Sequence, residues 1–421
     1  MPPAEAEQAK TRRAPQLPLE YSILLTATLC LLAAGAVMVY SASSPKSLLA
    51  HGDGSGYLVK FAAYGAVGLV AMRCLARGGL DRLRALTPAL LAISFALLLA
   101  VKLPGIGRTV NGARRWIGAG PLQFQPSELM KLALLLYCAH VLTATRKPKL
   151  RPLLLVTGAA CVLVGLQPDL GTALVLGFTL MCVLLGAGVP LRTLGKILGV
   201  CAAVIVVFAV IAPYRRARLT SFINPWAHAG TTGFQAVQGQ IALGSGGLLG
   251  VGPGQSVQKI FYLPEAHTDF ILAVIGEELG AIGVCVLLSL YGLIAYAGLR
   301  AAKRAKGAYA ALVAIGVTSL ILSQALLNAF AVLGLAPLTG VPLPFISYGS
   351  SNLIVMLAAM GLLLNVAAGG AANVREVRTP GAKARRWADA SGQADRDRGG
   401  RHRGARRAGA GGGRRAAGAG S

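Results

Sequence analysis

The chain reads as an all-α polytopic membrane protein, and three observations carry that reading. Hydrophobic residues fill 55% of its 421 positions and charged residues only 13%. An ordinary globular domain carries roughly 25% charged residues, so there is too little charge here to clothe soluble cores of this size. The apolar residues also arrive in blocks of about the 20 residues that a helix needs to cross a hydrocarbon core. Finally, 41 Lys and Arg face 15 Asp and Glu, and the cations are distributed unevenly between alternate loops.

Taken in order, residues 1–20 form a long polar N-terminal segment, unlike a cleavable signal, because the first apolar block is already span-length. Apolar blocks then predict helices near 21–41, 56–75, 85–102, 128–145, 151–167, 171–187, 193–213, 269–299, 308–335 and 346–366. These ten spans form one membrane domain, 21–366, with a large extracytoplasmic loop between helices 7 and 8. If the N-terminus is cytoplasmic, 30 of the 41 Lys and Arg fall on the inner side and 11 elsewhere. Both termini are therefore expected in the cytoplasm. Residues 367–421 read as a disordered basic cytoplasmic tail, since a Gly/Ala/Arg segment cannot bury a core. With no aromatic platform beside its arginines, the tail suits anionic membrane lipids rather than nucleic acid.

Seven cysteines (Cys30, Cys74, Cys138, Cys161, Cys182, Cys201 and Cys285) lie in or at the edges of apolar blocks. Their odd number and lack of loop pairs give no disulfide framework, and no Cys/His spacing suggests zinc. The Gly-rich stretch 230–258 has no phosphate-loop signature and reads as re-entrant structure packed within protein.

Two predicted outer loops are basic against the topological rule: 103–127, with Arg108, Arg114 and Arg115, and 214–268, with Arg215, Arg216, Arg218 and Lys259. Cations there suit an anionic ligand or the phosphates of the outer leaflet. Acids are scarce enough to weigh singly. Glu128, Asp169, Glu265, Asp269, Glu277 and Glu278 all fall at outer helix ends, in the outer loop, or within a span. An ionisable group at membrane depth costs ~2.5–3.5 kcal/mol on insertion scales and marks function or internal pairing.

Asp269 follows Pro264 and His267 and opens a predicted helix together with Thr268. It is either a simple N-cap or a general base toward a sugar hydroxyl at the outer leaflet. Glu277 and Glu278 lie roughly 12–13 Å deeper at 1.5 Å per residue. They read as glutamates hydrogen-bonded between helices, with a proton relay or ion site as the alternative. A second constellation runs from Asn111-Gly112-Ala113-Arg114-Arg115-Trp116 through Gln125-Pro126-Ser127-Glu128 to Lys131. Its arginines can clamp a pyrophosphate through planar donors, and Trp116 offers a stacking face. Against this stand an interfacial Trp, a capped helix and an i,i+3 Glu128–Lys131 pair. A third cluster, Pro342 to Asn352, is a polar helix entry on the same face.

In this order, the blocks NGARRWI, QPSELMK, QPDLGT, RLTSFINPW, GFQAVQGQIALGSGGLLGVG, YLPEAHTDFILAVIGEELG and LPFISYGSSN resemble the SEDS family (shape, elongation, division and sporulation). PEAHTDF is most like the cell-division branch. Departures are Ser350 where many members have a second glycine, and Gln123 where many have a basic residue.

The resemblance implies a peptidoglycan glycosyltransferase that polymerises lipid II at the outer face of the bacterial cytoplasmic membrane, at the division septum. By motif match it makes Asp269 the catalytic base. Substrate contacts are expected from Arg114, Arg115, Trp116, Gln125, Glu128, Lys131, Asp169, Arg218, His267 and Ser347. It implies lipid II and the growing glycan strand as ligands, and a class B penicillin-binding protein with other division proteins as partners. A divalent cation such as Mg2+ or Mn2+ would have a place beside the pyrophosphate, although the sequence holds no dedicated metal cage. The rival readings are a lipid II flippase, the elongation-type paralogue, and a non-catalytic scaffold.

Overall fold

The computed structural model describes residues 18–369 apart from 111, 120–121, 146–149, 212–215, 217–219 and 261. The N-terminal segment and basic tail expected from sequence lie outside the described residues.

Helices form at all ten predicted blocks: α1 (Leu19–His51), α2 (Gly56–Arg77), α3 (Leu80–Ala100), α4 (Pro126–Ala144), α5 (Leu150–Gly165), α6 (Leu170–Gly186), α7 (Leu191–Ile211), α9 (Ile271–Arg304), α10 (Ala308–Val332) and α11 (Ser350–Ala367). Among the described residues seven are long and apolar enough to cross a membrane: α1–α4 and α9–α11. At 16 and 17 residues, α5 and α6 are shorter. The Gly-rich stretch adds α8 (Phe234–Gly246). The protein is a multi-pass membrane protein, and its surface agrees. Val59, Val67, Val70, Ile93 and Leu155 stand exposed along the helices, as side chains that face lipid do.

The helices are joined by close approach of small residues. At Gly68 and Gly361 an added methyl would strike Leu357 and the Met72 backbone, so α2 and α11 meet nearly backbone to backbone. Polar residues inside the helices cost little, because their hydroxyls fold back onto carbonyls one turn earlier. Thr28 donates to the Leu24 carbonyl at 2.7 Å, Ser94 to that of Leu90 at 2.8 Å, and Thr157 to that of Leu153 at 2.9 Å.

The two described ends of the chain lie at the same end of the bundle. Glu20, at the start of α1, pairs with Arg300 (3.2 Å) and Arg304 (2.6 Å) at the end of α9. Asn365, near the end of α11, donates to the carbonyls of Leu75, Ala76 and Gly78 at the end of α2.

The all-α expectation needs one correction. The segment between α3 and α4 folds into an antiparallel sheet of β1 (Gly107–Val110), β2 (Ala113–Ala119) and β3 (Leu122–Phe124), in that order. Val110 pairs with Ala113 across a two-residue connection, and Gly112 has φ +76°. Asn-Gly is the dipeptide that a tight hairpin turn favours, so the signal for this sheet stands in the sequence beside the arginines.

The chain that follows α8 is anchored on α9. Gly280, within α9, has φ +68° and ψ −170°, which breaks the helix there. The chain after α8 bonds into the break: Val251 and Gly252 donate to the Glu277 and Glu278 carbonyls at 2.9 and 3.1 Å, while Ala281 donates to Gly247 at 2.9 Å. A methyl on Gly280 would collide with the Gly250 nitrogen and the Leu248 carbonyl. Gly280→Ala is therefore expected to cost about 1–3 kcal/mol from its backbone conformation alone, with the clash adding to it. A melting temperature equal to the parent's would show that the break is not required.

Candidate active site

Asp269 sits in the turn that precedes α9, on the end of the bundle opposite Glu20 and Arg300. The helix begins at Ile271 with Phe270 as its cap, and no side chain closes that cap. Thr268 instead donates to the Glu265 carbonyl at 3.0 Å and to its carboxylate at 3.2 Å. The assigned cap thus falls one residue after Thr268-Asp269, at Phe270.

Half-buried Asp269 lines a small cavity of about 40 Å³ with Gln235 from α8, Asn328 and Val332 from α10, and Thr339 and Gly340 from the following segment. Asn328 fixes the backbone here, donating to the carbonyls of Asp269 at 2.7 Å and Val341 at 2.9 Å. Gly340 has φ +68°, and a methyl on it would lie 3.3 Å from Asp269 Oδ2. Glycine thus keeps the space beside the carboxylate open. A half-buried carboxylate facing such a cavity can accept a proton from a ligand hydroxyl.

His267 and Ser347 support this turn. The His267 ring packs in T-shape on Tyr57 (centroids 4.7 Å apart) and lies 5.7 Å from Tyr348, whose N–H donates to the His267 carbonyl at 2.9 Å. Ser347 accepts from the Leu343 N–H at 2.8 Å and closes the 343–347 turn. The structure thus ties Ser347 to its own turn, where a substrate contact was expected. Burial pushes the His267 imidazole down to about 4; Glu265 opposes the shift and Lys46 adds to it. Its ordinary value is 6.5, so the fold holds the ring neutral at pH 7. The stability that depends on the neutral ring is full above pH 6.5 and drains as pH falls toward 4. The parent's melting temperature should drop more steeply between about pH 7 and pH 4.5 than that of His267→Gln. Equal slopes would mean the ring does not carry this dependence.

The remaining expected residues form a neighbouring polar network. Glu128 and Lys131 are 2% and 1% exposed and pair at 2.8 Å. Lys131 also donates to Gln324 on α10 at 3.2 Å, and Asn352 on α11 donates to both Glu128 and Gln324 at 2.9 Å. These two expected substrate contacts are thus hydrogen-bonded within the protein. The pair is satisfied from within, because an unpaired charge at that depth would be costly.

Asp169 caps α6, accepting from the Thr172 N–H (3.1 Å) and hydroxyl (3.0 Å), and it takes the Gln125 side chain at 3.2 Å. The Gln125 N–H in turn donates to Ser351 at 2.8 Å. These two expected contacts are also engaged with protein.

Arg115 donates to the Gln167 and Pro168 carbonyls at 2.9 and 2.6 Å, which pins β2 to the α5–α6 turn. Arg114 is exposed and reaches the Lys102 carbonyl at 3.5 Å, and Trp116 is half-buried on β2 opposite Arg108. Arg218 lies outside the described residues.

Glu277 accepts from the Ser256 hydroxyl and from the Val257 N–H at 2.9 Å. Glu278 accepts from Ser41 at 2.7 Å and pairs with Lys259 at 2.8 Å. Both acids thus tie the segment between α8 and α9 to the bundle, matching the internal hydrogen-bonding reading. Among the described residues no three His, Cys, Asp or Glu side chains converge as metal ligands would.

Sequence reasoning missed Gln235, Asn328 and Thr339. For Asn328 a signal exists: Gln324 and Asn328 are amides one turn apart in an otherwise apolar span, so they share a face.

The architecture is a bundle of membrane helices that holds, at one end, an aspartate beside a polar cavity. Residues 22–370 match the FtsW/RodA/SpoVE family model, described as cell cycle protein, and the chain belongs to this SEDS family. It is 40% identical over 350 residues to stage V sporulation protein E of Bacillus subtilis, covering 82% of this chain and 96% of that one. It is 41% identical over 370 residues to the probable peptidoglycan glycosyltransferase FtsW of Thioalkalivibrio sulfidiphilus, covering 86% and 92%. Among solved structures, a chain of a peptidoglycan synthase complex that coordinates polymerization and crosslinking superposes with TM-score 0.68 at 32% identity, covering 82% and 96%. The rod shape determining protein RodA of Thermus thermophilus superposes with TM-score 0.61 at 31% identity, covering 82% and 95%.

Proposed function

We infer that the protein is a peptidoglycan glycosyltransferase that polymerises lipid II for septal wall synthesis. Relatives at about 40% identity bear the name of the division enzyme over nearly their whole length. The single observation that carries the chemistry is Asp269, half-buried and lining a polar cavity. In this reading the acceptor's 4-hydroxyl gives its proton to Asp269. The hydroxyl oxygen forms a bond to the anomeric carbon of the donor's N-acetylmuramic acid. The bond to the pyrophosphate breaks, and its electron pair leaves with undecaprenyl pyrophosphate. Direct displacement inverts the α-linked donor to a β-1,4 product, as in inverting hydrolases. Arg114, exposed on the small sheet, is placed to meet anionic phosphate, and Trp116 to offer its face to sugar. Glu128, Lys131, Asp169 and Gln125 brace α4 against α6 and α10.

α1–α7 and α9–α11 all cross the bacterial inner membrane in this proposal, with both termini in the cytoplasm and Asp269 at the outer face. The match to a chain of a peptidoglycan synthase complex supports a class B penicillin-binding protein as partner. A flippase would need free polar groups near the midplane, whereas Glu277 and Glu278 are both engaged by the outer loop. The deciding experiment gives labelled lipid II to the purified protein, with and without its transpeptidase. Polymer formation, strongest with the partner, is expected. Transbilayer movement of lipid II without polymer would overturn the reading.

A further inference from the structure

One side of α8 is shaped to lie against α9 and the turn before it. Gln235, Gly239, Ala242 and Gly246 recur at helical spacing and share a face. A methyl on Gly239 would meet the Phe270 ring at 2.8 Å, and one on Gly246 would strike the Gly276 backbone. Ala242 is fully buried on the same stripe. One turn before Gly239, Gln235 is thereby set beside Phe270 and its chain neighbour Asp269, and all three line one cavity.

Four polar side chains border that cavity: Gln235, Asp269, Asn328 and Thr339. Two of them have nothing to offer a ligand. The Asn328 nitrogen is held by the Asp269 and Val341 carbonyls, while Asn328 Oδ1 and the Thr339 hydroxyl keep essentially no exposed surface. Gln235 differs. It is half-buried, and neither polar atom of its carboxamide is hydrogen-bonded among the described residues or sealed from contact. On an open surface such a glutamine needs no explanation, because water satisfies it. This one shares a small cavity with the carboxylate.

An ionised carboxylate only accepts, whereas a carboxamide brings two donors and one acceptor. Together they match a ligand that carries two hydroxyls side by side, one giving its proton to Asp269 and the other exchanging a hydrogen bond with Gln235. At about 40 Å³ the cavity admits hydroxyl-sized groups and not a whole ring, so the edge of a sugar is what enters. In N-acetylglucosamine the 4-hydroxyl is flanked by the 3- and 6-hydroxyls, and the acetamido group lies further along the ring. Resting on the polymerase reading above, we propose that Gln235 determines specificity by hydrogen-bonding a hydroxyl that flanks the reacting 4-hydroxyl of the acceptor sugar.

The test uses full-length protein with its transpeptidase partner and three substrates. These are lipid II and two analogues whose N-acetylglucosamine lacks the 3-hydroxyl or the 6-hydroxyl. The parent should use one of the analogues about 3–10-fold less efficiently by kcat/KM, the range of one neutral hydrogen bond. Gln235→Met keeps the helix preference of glutamine and its unbranched shape but has no amide. It should lower kcat/KM for lipid II by a similar factor and make lipid II and that analogue equal substrates. The analogue that loses its penalty identifies the hydroxyl. A glutamine that only packs α8 would, when replaced, slow all three substrates alike and leave the discrimination in place. That result, or a parent indifferent to both deletions, would overturn the contact. The polymerase reading is checked separately through Kd in the Asp269→Asn background, where adding Gln235→Met should again equalise lipid II and the analogue. If the parent made no polymer while this difference in binding persisted, the contact would stand and the polymerase reading would fall.

Discussion

Asp269→Asn should polymerise lipid II ~10²–10⁴-fold more slowly than the parent, the usual contribution of a positioned general base. Expression, insertion and melting temperature should stay near parental values. The amide has almost the same volume, and the backbone hydrogen bond from Asn328 to the Asp269 carbonyl survives the change. α9 starts two residues later, with Phe270 as its assigned cap. A capping role predicts little effect from Asn, itself a good cap, so the variant separates capping from catalysis. Near-parental polymerisation by well-folded Asp269→Asn protein would remove Asp269 as the base and direct attention to Glu265, the nearby acid of the same turn.

The second large effect is expected in stability. Lys131→Met should lower stability by about 3–5 kcal/mol, because it strands the buried Glu128 carboxylate without its cation. Asn352 would remain as a donor at 2.9 Å, but an amide cannot balance the charge. The double variant Glu128→Gln/Lys131→Met should recover most of the loss, since it removes both charges together. Thermal unfolding in detergent, followed by the fraction of monodisperse protein, would measure both. The same pair of variants separates architecture from substrate contact. If Lys131 served only to bind phosphate, Lys131→Met protein would melt like the parent, and the double variant would show no rescue.

Much of the architecture is legible in the residues alone. Hydrophobic block length is a one-dimensional property, and a helix in lipid must satisfy its backbone internally. The ten helices therefore form where the blocks lie. Cation bias between loops is equally local, and it agrees with Glu20 and Arg300 meeting at one end of the bundle. The small sheet is legible too, through Asn111-Gly112, although the arginines of 103–127 draw attention to charge and away from the turn. Asp269 can be singled out because acids are rare in this chain and each has few reasons to exist.

Which polar residues are consumed by the protein, and which are left for a ligand, depends on contacts between residues far apart in sequence. Lys131 meets Gln324, 193 positions away, and Gln125 meets Ser351, 226 positions away. A carboxylate such as Glu128, Asp169 or Glu278 looks the same in sequence whether it waits for substrate or for a lysine elsewhere in the fold. Only packing supplies the partner. The partner then decides the chemistry, because a buried charge already paired and hydrogen-bonded within the fold has little left to offer a ligand. Asn328 shows the converse. One amide in an apolar span carries no obvious role by itself, but the packing of α10 against the turn before α9 commits its nitrogen to the carbonyls of Asp269 and Val341.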